Sequence, residues 1–370
     1  MTQAVTLSVY ISRLFAIAVA AMLLALTGLV SLFDFIELLR RSASRPEATF
    51  GLVSEIGALR LPYIAMQILP FAVLLGGILC FWRLTRSSEL IVARASGVSA
   101  WEFLAAPTLV AMLFGAVATA IISPVSSVML ARAEAMDNVY LRSGGGPLAL
   151  NGGQLWMRQS DRALVPQGVA IIHAHGVEVH GRSLLAKDVS VFRLDGSDHL
   201  LSRIEATSAL LSDGNWQLDN ARSIRPDQLP DQSKMVMLPT DLTVSRVQES
   251  FASPDTLSVW ALPDFIALLD RSGFSSIRHR LHFQTLLALP LLAATMALMG
   301  AGFSMRPARR GGVARMIGSG VAAGFLLFVI SKMAEEFGQS GALPVILAAW
   351  APTAAGMMLA LALLLHTEDG

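Results

Sequence analysis

The chain has 370 residues, of which 54% are hydrophobic and only 15% are charged. Soluble domains carry about 25% charged residues, so this composition is typical of a membrane protein. The formal net charge of +1 does not favour nucleic-acid binding, since the basic residues lie in loops and form no stripe. Cys80 is the only cysteine, which excludes an internal disulfide and a zinc site built from cysteines.

Six apolar stretches without any Asp, Glu, Lys or Arg dominate the chain. They cover residues 15–33, 61–82, 104–130, 283–305, 316–331 and 341–365. One charge at the centre of a span costs about 2.5–3.5 kcal/mol on insertion scales, so uncharged runs of this length are strong candidates for membrane spans. The first run is longer than the ~7–15-residue apolar region of a signal peptide, and we expect it to be retained. The sequence predicts an α-helical polytopic membrane protein with six transmembrane helices, arranged 3+3 around a polar insert.

The arginines of the short loops predict the orientation. Three follow span two and four follow span four, whereas the loop after span five has one Lys against two Glu. The positive-inside rule places the first two loops in the cytoplasm. Both termini are then cytoplasmic, and the polar insert lies outside, in the periplasm of a Gram-negative cell. These arginines are Arg83, Arg86, Arg94, Arg306, Arg309, Arg310 and Arg315.

Three arginines at the outer end of span one run against this rule. Arg40, Arg41 and Arg45 lie on the side predicted to be outside. Because Arg binds phosphate in a bidentate manner, they are candidates for binding an anionic headgroup. The alternative is a solvated flank that Glu37 and Glu47 neutralise.

The loop after span two predicts a short amphipathic helix over residues 88–96. Ser87 or Ser88 can cap its N-terminus, Glu89 complements the positive end of the helix dipole, and Gly97 suits the left-handed position after its last turn. An ordinary interfacial connector is the alternative. The residues expected to contact a partner are Ser88, Glu89, Leu90, Arg94 and Gly97.

Span three is longer than a bilayer requires. Its 27 uncharged positions, 104–130, reach about 40 Å against a hydrocarbon core of ~30 Å. Ser99 and Glu102 fit a capping box at its start, and Pro124 predicts a bend.

The polar insert, residues 135–275, has the pattern of an all-β domain. Residues 177–180 and 189–194 alternate with period two, and 209–218 predict two strands joined at an Asp-Gly turn. An antiparallel sandwich or open roll follows, although a register slip of one residue would exchange its faces. Residues 256–269 return to a helical pattern.

Small residues in span five predict close helix packing. Gly318, Gly320 and Gly324 include a small-xxx-small pattern. The partner helix lies either in another subunit or within the same chain.

Catalytic and metal-binding signals are weak. His173 and His175 share one face of a predicted strand, but no convincing third ligand accompanies them. No nucleophile elbow occurs, so we predict no catalytic residue, no metal site and no cofactor.

Three motifs resemble a known family, the LptF/LptG permeases of the ATP-driven lipopolysaccharide exporter. They are the Ser-Glu-Leu…Arg-Ala-Ser-Gly-Val-Ser run within 88–99, the strand–turn–strand around 213–216, and the Arg-Pro-Ala-Arg-Arg-Gly-Gly-Val loop at 306–313. The resemblance implies a first transmembrane half at 1–134, a periplasmic β-jellyroll at 135–275 and a second half at 276–370. The end of span one at 33–37 and the start of span six at 343–352 are more similar to the LptG branch.

The resemblance also implies a mechanism and partners. An LptB-type ATPase dimer would grip the helix at 88–96, since the chain has no GxxxxGK phosphate loop. An LptF-type paralogue would face span five across a lateral opening, and an LptC-type protein would continue the β domain. The permease would extract lipopolysaccharide from the outer leaflet of the inner membrane and pass it to a periplasmic β-bridge. Asp34 departs from the basic residue expected there, which weakens the substrate assignment most at Arg45.

Three other functions remain open from the sequence. The chain can be the LptF subunit of the same exporter, or a mechanotransmitting ABC membrane subunit that conducts no substrate. In that second class the periplasmic domain usually follows span one rather than span three. A lipid-modifying membrane enzyme would need convergent carboxylates or histidines at a membrane face, and only scattered ones occur.

Overall fold

The computed structural model describes residues 2–43, 48–87, 89, 99–141, 149–151, 154–161, 168–180, 183–195, 199–212, 214–225, 229–240, 253–271, 275–304 and 313–368. Internal contacts divide the chain into two units. The membrane unit comprises residues 1–137, 255–262 and 277–370, and the β unit comprises 138–254 and 263–276. Residues 255–262, which the sequence assigned to the insert, therefore pack with the membrane helices.

Six long helices confirm the predicted transmembrane arrangement. Each is long and apolar enough to cross a membrane, with three before and three after the β unit. The helices are α1 (Thr2–Ser42), α2 (Phe50–Arg86), α3 (Ala100–Val117), α4 (Ser123–Tyr140), α5 (Leu262–Arg271), α6 (Ile277–Ser304), α7 (Val313–Gln339) and α8 (Val345–Glu368). The third span contains two of these helices, α3 and α4, whereas α5 is short and is not a span. A π-helical turn at Ala118–Ile122 joins α3 to α4, and these three pieces make up the third span. Its hydrogen-bond register changes just before Pro124, where the sequence predicted a bend.

The predicted capping box at the start of α3 is confirmed. Ser99 Oγ accepts from the Glu102 backbone N–H at 3.3 Å, and Glu102 Oε2 accepts from the Ser99 N–H at 3.3 Å. These two bonds satisfy donors that a helix N-terminus otherwise leaves without partners.

The core of the membrane unit forms around α2 and α6. Phe15, Leu74, Phe81 and Met299 are almost fully buried in one apolar cluster. Two glycines permit a close approach to the backbone of a neighbouring helix. A Cβ at Gly76 would lie 2.7 Å from Val19 Cα in α1, and a Cβ at Gly115 would lie 2.5 Å from Pro290 Cα in α6.

The β unit contains one antiparallel sheet of seven described strands. Neighbours in the sheet are also neighbours in the chain, in the order β1 to β7. The strands are β1 (Ala149–Asn151), β2 (Gln154–Ser160), β3 (Val169–His180), β4 (Ser183–Leu194), β5 (Leu200–Ser212), β6 (Asn215–Ile224) and β7 (Asp231–Pro239). The inserted all-β domain is confirmed, and its described strands follow a meander, whereas a Greek-key jellyroll would pair strands distant in the chain. Gly214, with φ of +76°, forms the predicted turn between β5 and β6.

One face of this sheet is buried, so buried and exposed side chains alternate along the strands. In the middle of four consecutive strands this alternation changes phase, because two successive buried residues are separated by three positions instead of two. These pairs are Ala174/Val177, Ala186/Val189, Ala206/Ala209 and Leu218/Ala221. Asp188 and Asn220 adopt positive φ of 50° and 51° within this band, while the strand pairs on either side of it keep the same register. Trp216 is fully buried in this core, and α5 adds Leu269 to it.

Candidate functional site

The predicted coupling segment follows directly after α2. Ser88, Leu90, Arg94 and Gly97 lie outside the described residues, whereas Glu89 is described and half-buried. Ser87 Oγ donates to Glu89 Oε1 at 2.8 Å. Along the chain, the segment connects the C-terminus of α2 to the capped N-terminus of α3.

An open cleft lies between α1 and α3. Its volume is about 790 Å³, and its walls carry Arg13 and Ser12 of α1 and Glu102 and Ala105 of α3. No local sequence pattern reveals this cleft, because it forms where the N-terminal parts of two helices distant in the chain, α1 and α3, meet.

The arginine cluster at the end of α1 is organised around Glu37. Arg40 donates from Nε and Nη2 to the two Glu37 carboxylate oxygens at 2.8 Å each, and Arg41 Nε donates to Oε1 at 2.9 Å. Arg45 lies outside the described residues. The pairing is the one expected for a neutralised flank, in which Arg40 and Arg41 share the Glu37 carboxylate. Since the Arg40 side chain is 77% exposed and such surface pairs are weak, an incoming phosphate can compete for it.

Asp34 belongs to a charge cluster that the sequence analysis missed. Arg60 of α2 lies between two carboxylates: Nη1 is 3.1 Å from Asp34 Oδ1, and Nη2 is 3.4 Å from Asp137 Oδ2. The Arg60 and Asp137 side chains are only 17% and 2% exposed. This buried cluster joins the first three spans and explains why an acidic residue occupies position 34. Lone charges bordering apolar runs were its only signal in the sequence.

The three glycines of span five have different environments. A Cβ at Gly320 would lie 2.8 Å from Ile78 Cδ1, and a Cβ at Gly324 would overlap the Leu74 side chain. Both neighbours belong to α2, so these two glycines fit the alternative of packing within one chain. Gly318 has open space around its Cα and remains the candidate for a contact with another subunit.

Two of the transmembrane helices present broad apolar faces that their own chain leaves exposed. These are α1 and α7, which have the least buried apolar windows of the six spans. The most exposed side chains on them include Val9, Leu24, Phe33, Phe325, Leu326 and Met333. Faces of this size are covered either by lipid or by another helix.

The two histidines of β3 form part of an aromatic group. The His173 ring lies 4.0 Å from the Trp156 ring and 4.6 Å from the His175 ring, between centroids. Burial of the ring, and then the neighbouring His175, lower the pKa of His173 below its usual value. Within the described residues, no group of three or more His, Cys, Asp or Glu side chains could hold a metal ion.

Comparisons with known proteins agree along nearly the whole chain. The family model for the lipopolysaccharide export system permease LptF/LptG matches residues 9–366. The lipopolysaccharide export system permease protein LptG of Escherichia coli (strain K12) is 24% identical over 368 residues, which cover 96% of this chain and 97% of that protein. LptG of Haemophilus influenzae is 23% identical over 353 residues, with 94% and 95% covered. With its six apolar helices and inserted antiparallel sheet, the chain belongs to the LptF/LptG family of lipopolysaccharide export permeases.

Proposed function

We propose that this multi-pass inner-membrane protein is the LptG-type permease subunit of an ATP-driven lipopolysaccharide exporter. The family match over residues 9–366 carries the proposal, and the relatives named LptG favour that subunit over LptF. The permease extracts lipopolysaccharide from the outer leaflet of the inner membrane and passes it to a periplasmic β-bridge. Both termini are cytoplasmic and the β domain is periplasmic, in keeping with the arginine-rich loops after spans two and four.

The energy for transport comes from a separate LptB-type ATPase dimer. The segment 88–96 docks on that ATPase, with Glu89 bonded to a basic group of the partner. A charge-assisted hydrogen bond of this kind contributes about 1.5–3 kcal/mol. The placement of Glu89 between α2 and α3 supports this role, because a force applied there acts on two spans at once. The permease itself catalyses no reaction.

The exposed faces of α1 and α7 pair with an LptF-type paralogue. Lipid enters through the openings between the two subunits, and Gly318 allows one helix to approach closely at this seam. An LptC-type protein joins the periplasmic side and continues the β surface.

The substrate is held by charge at the membrane and by apolar surface beyond it. Arg40, Arg41 and Arg45 bind lipopolysaccharide phosphates. Arg40 and Arg41 then exchange their pairing with Glu37 for a doubly charged group. The apolar face of the sheet supplies the surface that shelters acyl chains.

Glu89 variants test this function. Glu89→Ala is expected to insert normally, to bind the ATPase about 10- to 100-fold more weakly, and to abolish export. Glu89→Gln keeps the shape but removes the charge, and is expected to lie between Ala and wild type. Glu336→Gln, at an exposed site on α7, is the matched control and is expected to export normally. Normal lipopolysaccharide transport by Glu89→Ala at wild-type expression would overturn the proposal.

A further inference from the structure

The third span contains a backbone carbonyl that lacks its α-helical donor. Pro124 has no N–H to donate to the Ala120 carbonyl four residues before it. The π-helical turn at Ala118–Ile122 precedes this proline, and the Ser123 N–H bonds back to the Ala118 carbonyl. A carbonyl that loses its usual partner is costly in a membrane, so a donor from outside the helix stabilises the Ala120 oxygen.

Trp260 supplies that donor. Its indole Nε1–H donates to the Ala120 carbonyl at 3.2 Å, and the adjacent Val259 N–H donates to Ser123 Oγ at 3.3 Å. From Trp101, at the start of α3, to Ala120 the helix rises about 28 Å, close to the ~30 Å thickness of the hydrocarbon core. Trp260 therefore lies at the outer boundary of the core, where tryptophan is enriched because its ring is apolar and its N–H is polar.

The segment that contains Trp260, residues 255–262, lies in the chain between two parts of the β unit. Strand β7 precedes residues 255–262, and α5, which places Leu269 in the β core, follows them. Val259 and Leu262 are buried against Leu286 of α6, so apolar contacts support the two hydrogen bonds. The third span begins at the end of the coupling segment and also leads into the β unit.

We infer that Trp260 is a positioning residue that fastens segment 255–262 to the π-helical turn of the third span. The fastening makes the β domain follow the outer half of that span when the coupling segment moves its inner end. Pro124 creates the acceptor and Trp260 occupies it, so the two residues act as a pair. The mechanical role rests on the proposed function, whereas the pairing itself does not.

A double-mutant cycle tests the pairing in the purified full-length chain. Trp260→Phe keeps an aromatic ring but removes the donor. We expect hydrogen exchange at the Val259 amide to accelerate about two- to tenfold, because this amide reports on the opening of the fastening. Pro124→Ala restores a backbone N–H for the Ala120 carbonyl, so in that background Trp260→Phe should change the exchange rate less than about twofold. An equal acceleration in both backgrounds, or none in the wild-type background, would overturn the pairing.

Transport in the complete exporter tests the mechanical role. Trp260→Phe is expected to lower the lipopolysaccharide moved per ATP hydrolysed severalfold while ATP hydrolysis continues. Trp350→Phe is the matched control, because Trp350 Nε1 donates to a side-chain acceptor, Gln284 Oε1, at 3.0 Å. An unchanged ratio for Trp260→Phe, or an equal fall in the control, would overturn the inference. A wild-type exporter that moves no lipopolysaccharide would instead refute the proposed function and leave the exchange result standing.

Discussion

Replacing Thr119 with valine removes one buried hydrogen bond between the third and fourth spans. Thr119 Oγ1 donates to the Leu286 carbonyl at 2.8 Å, and Thr119 is only 8% exposed. The Leu286 carbonyl depends on this hydroxyl, because Pro290 cannot donate to it. When the helices separate in lipid, the Leu286 carbonyl finds no other hydrogen-bond donor, because Pro290 lies on the same helix and has no N–H. We therefore place the cost of Thr119→Val near the upper end for bonds between membrane helices, about 1–2 kcal/mol.

Reversible unfolding in mixed detergent–SDS micelles measures this cost. Thr295→Val is the matched control: the Thr295 hydroxyl also donates to a carbonyl, that of Leu291 at 2.9 Å, but this carbonyl can still accept the Thr295 backbone N–H. The control should cost less than about 0.5 kcal/mol. Pro290→Ala should reduce the effect of Thr119→Val, because the backbone N–H of the substituted residue supplies the missing donor. Equal costs for the two threonines, or an effect that Pro290→Ala leaves unchanged, would refute this reasoning.

Three further predictions concern charge, packing and pH. Arg60→Ala removes the cation that lies between the buried Asp137 and the part-buried Asp34, and should lower the free energy of unfolding by about 3–5 kcal/mol. Arg132→Ala breaks an exposed pair with Glu55 and should cost under about 1 kcal/mol; similar losses in the same micelle assay would contradict the buried cluster. Gly324→Ala should cost about 1–3 kcal/mol because its methyl group displaces a buried leucine, and Gly318→Ala should stay within about 0.5 kcal/mol; the reverse order would refute the assignment of packing within the chain. The fold lowers the pKa of His173 below the ordinary histidine value of 6.5, so the β domain should keep its full stability at pH values above 6.5 and lose stability as the pH falls below 6.5. Thermal unfolding at about pH 7.5 and 5.5 measures this loss, and His173→Phe should remove it. An unchanged pH dependence in His173→Phe would exclude this histidine as the cause.

Local signals in the sequence were sufficient for several elements. A capping box needs only residues three apart, so Ser99 and Glu102 could be recognised before their geometry was known. The Asp-Gly turn at Gly214 and the charge-free runs of the six helices are equally local. These signals fixed the number of spans and the position of the inserted domain.

Contacts between distant residues could not be read in the same way. The phase change at Asp188 occurs at the same level in neighbouring strands, and a period-two pattern within one strand cannot anticipate this. The partner of Asp34 is 26 residues away, on another helix. The pattern of small residues predicted close helix packing at span five. The structure shows a close approach to a neighbouring backbone elsewhere, at Gly76 and Gly115, where a Cβ would meet backbone atoms of another helix. Which helix faces which glycine depends on the whole bundle.

Reconstitution into vesicles tests the central claim that a separate ATPase drives lipopolysaccharide through this permease. The full-length chain, an LptF-type paralogue and an LptB-type ATPase would be inserted with lipopolysaccharide, and its transfer to a periplasmic β-domain acceptor would be followed with and without ATP. We predict transfer only when ATP and all three proteins are present. Transfer that continues without this chain, or that proceeds equally well without ATP, would contradict the account.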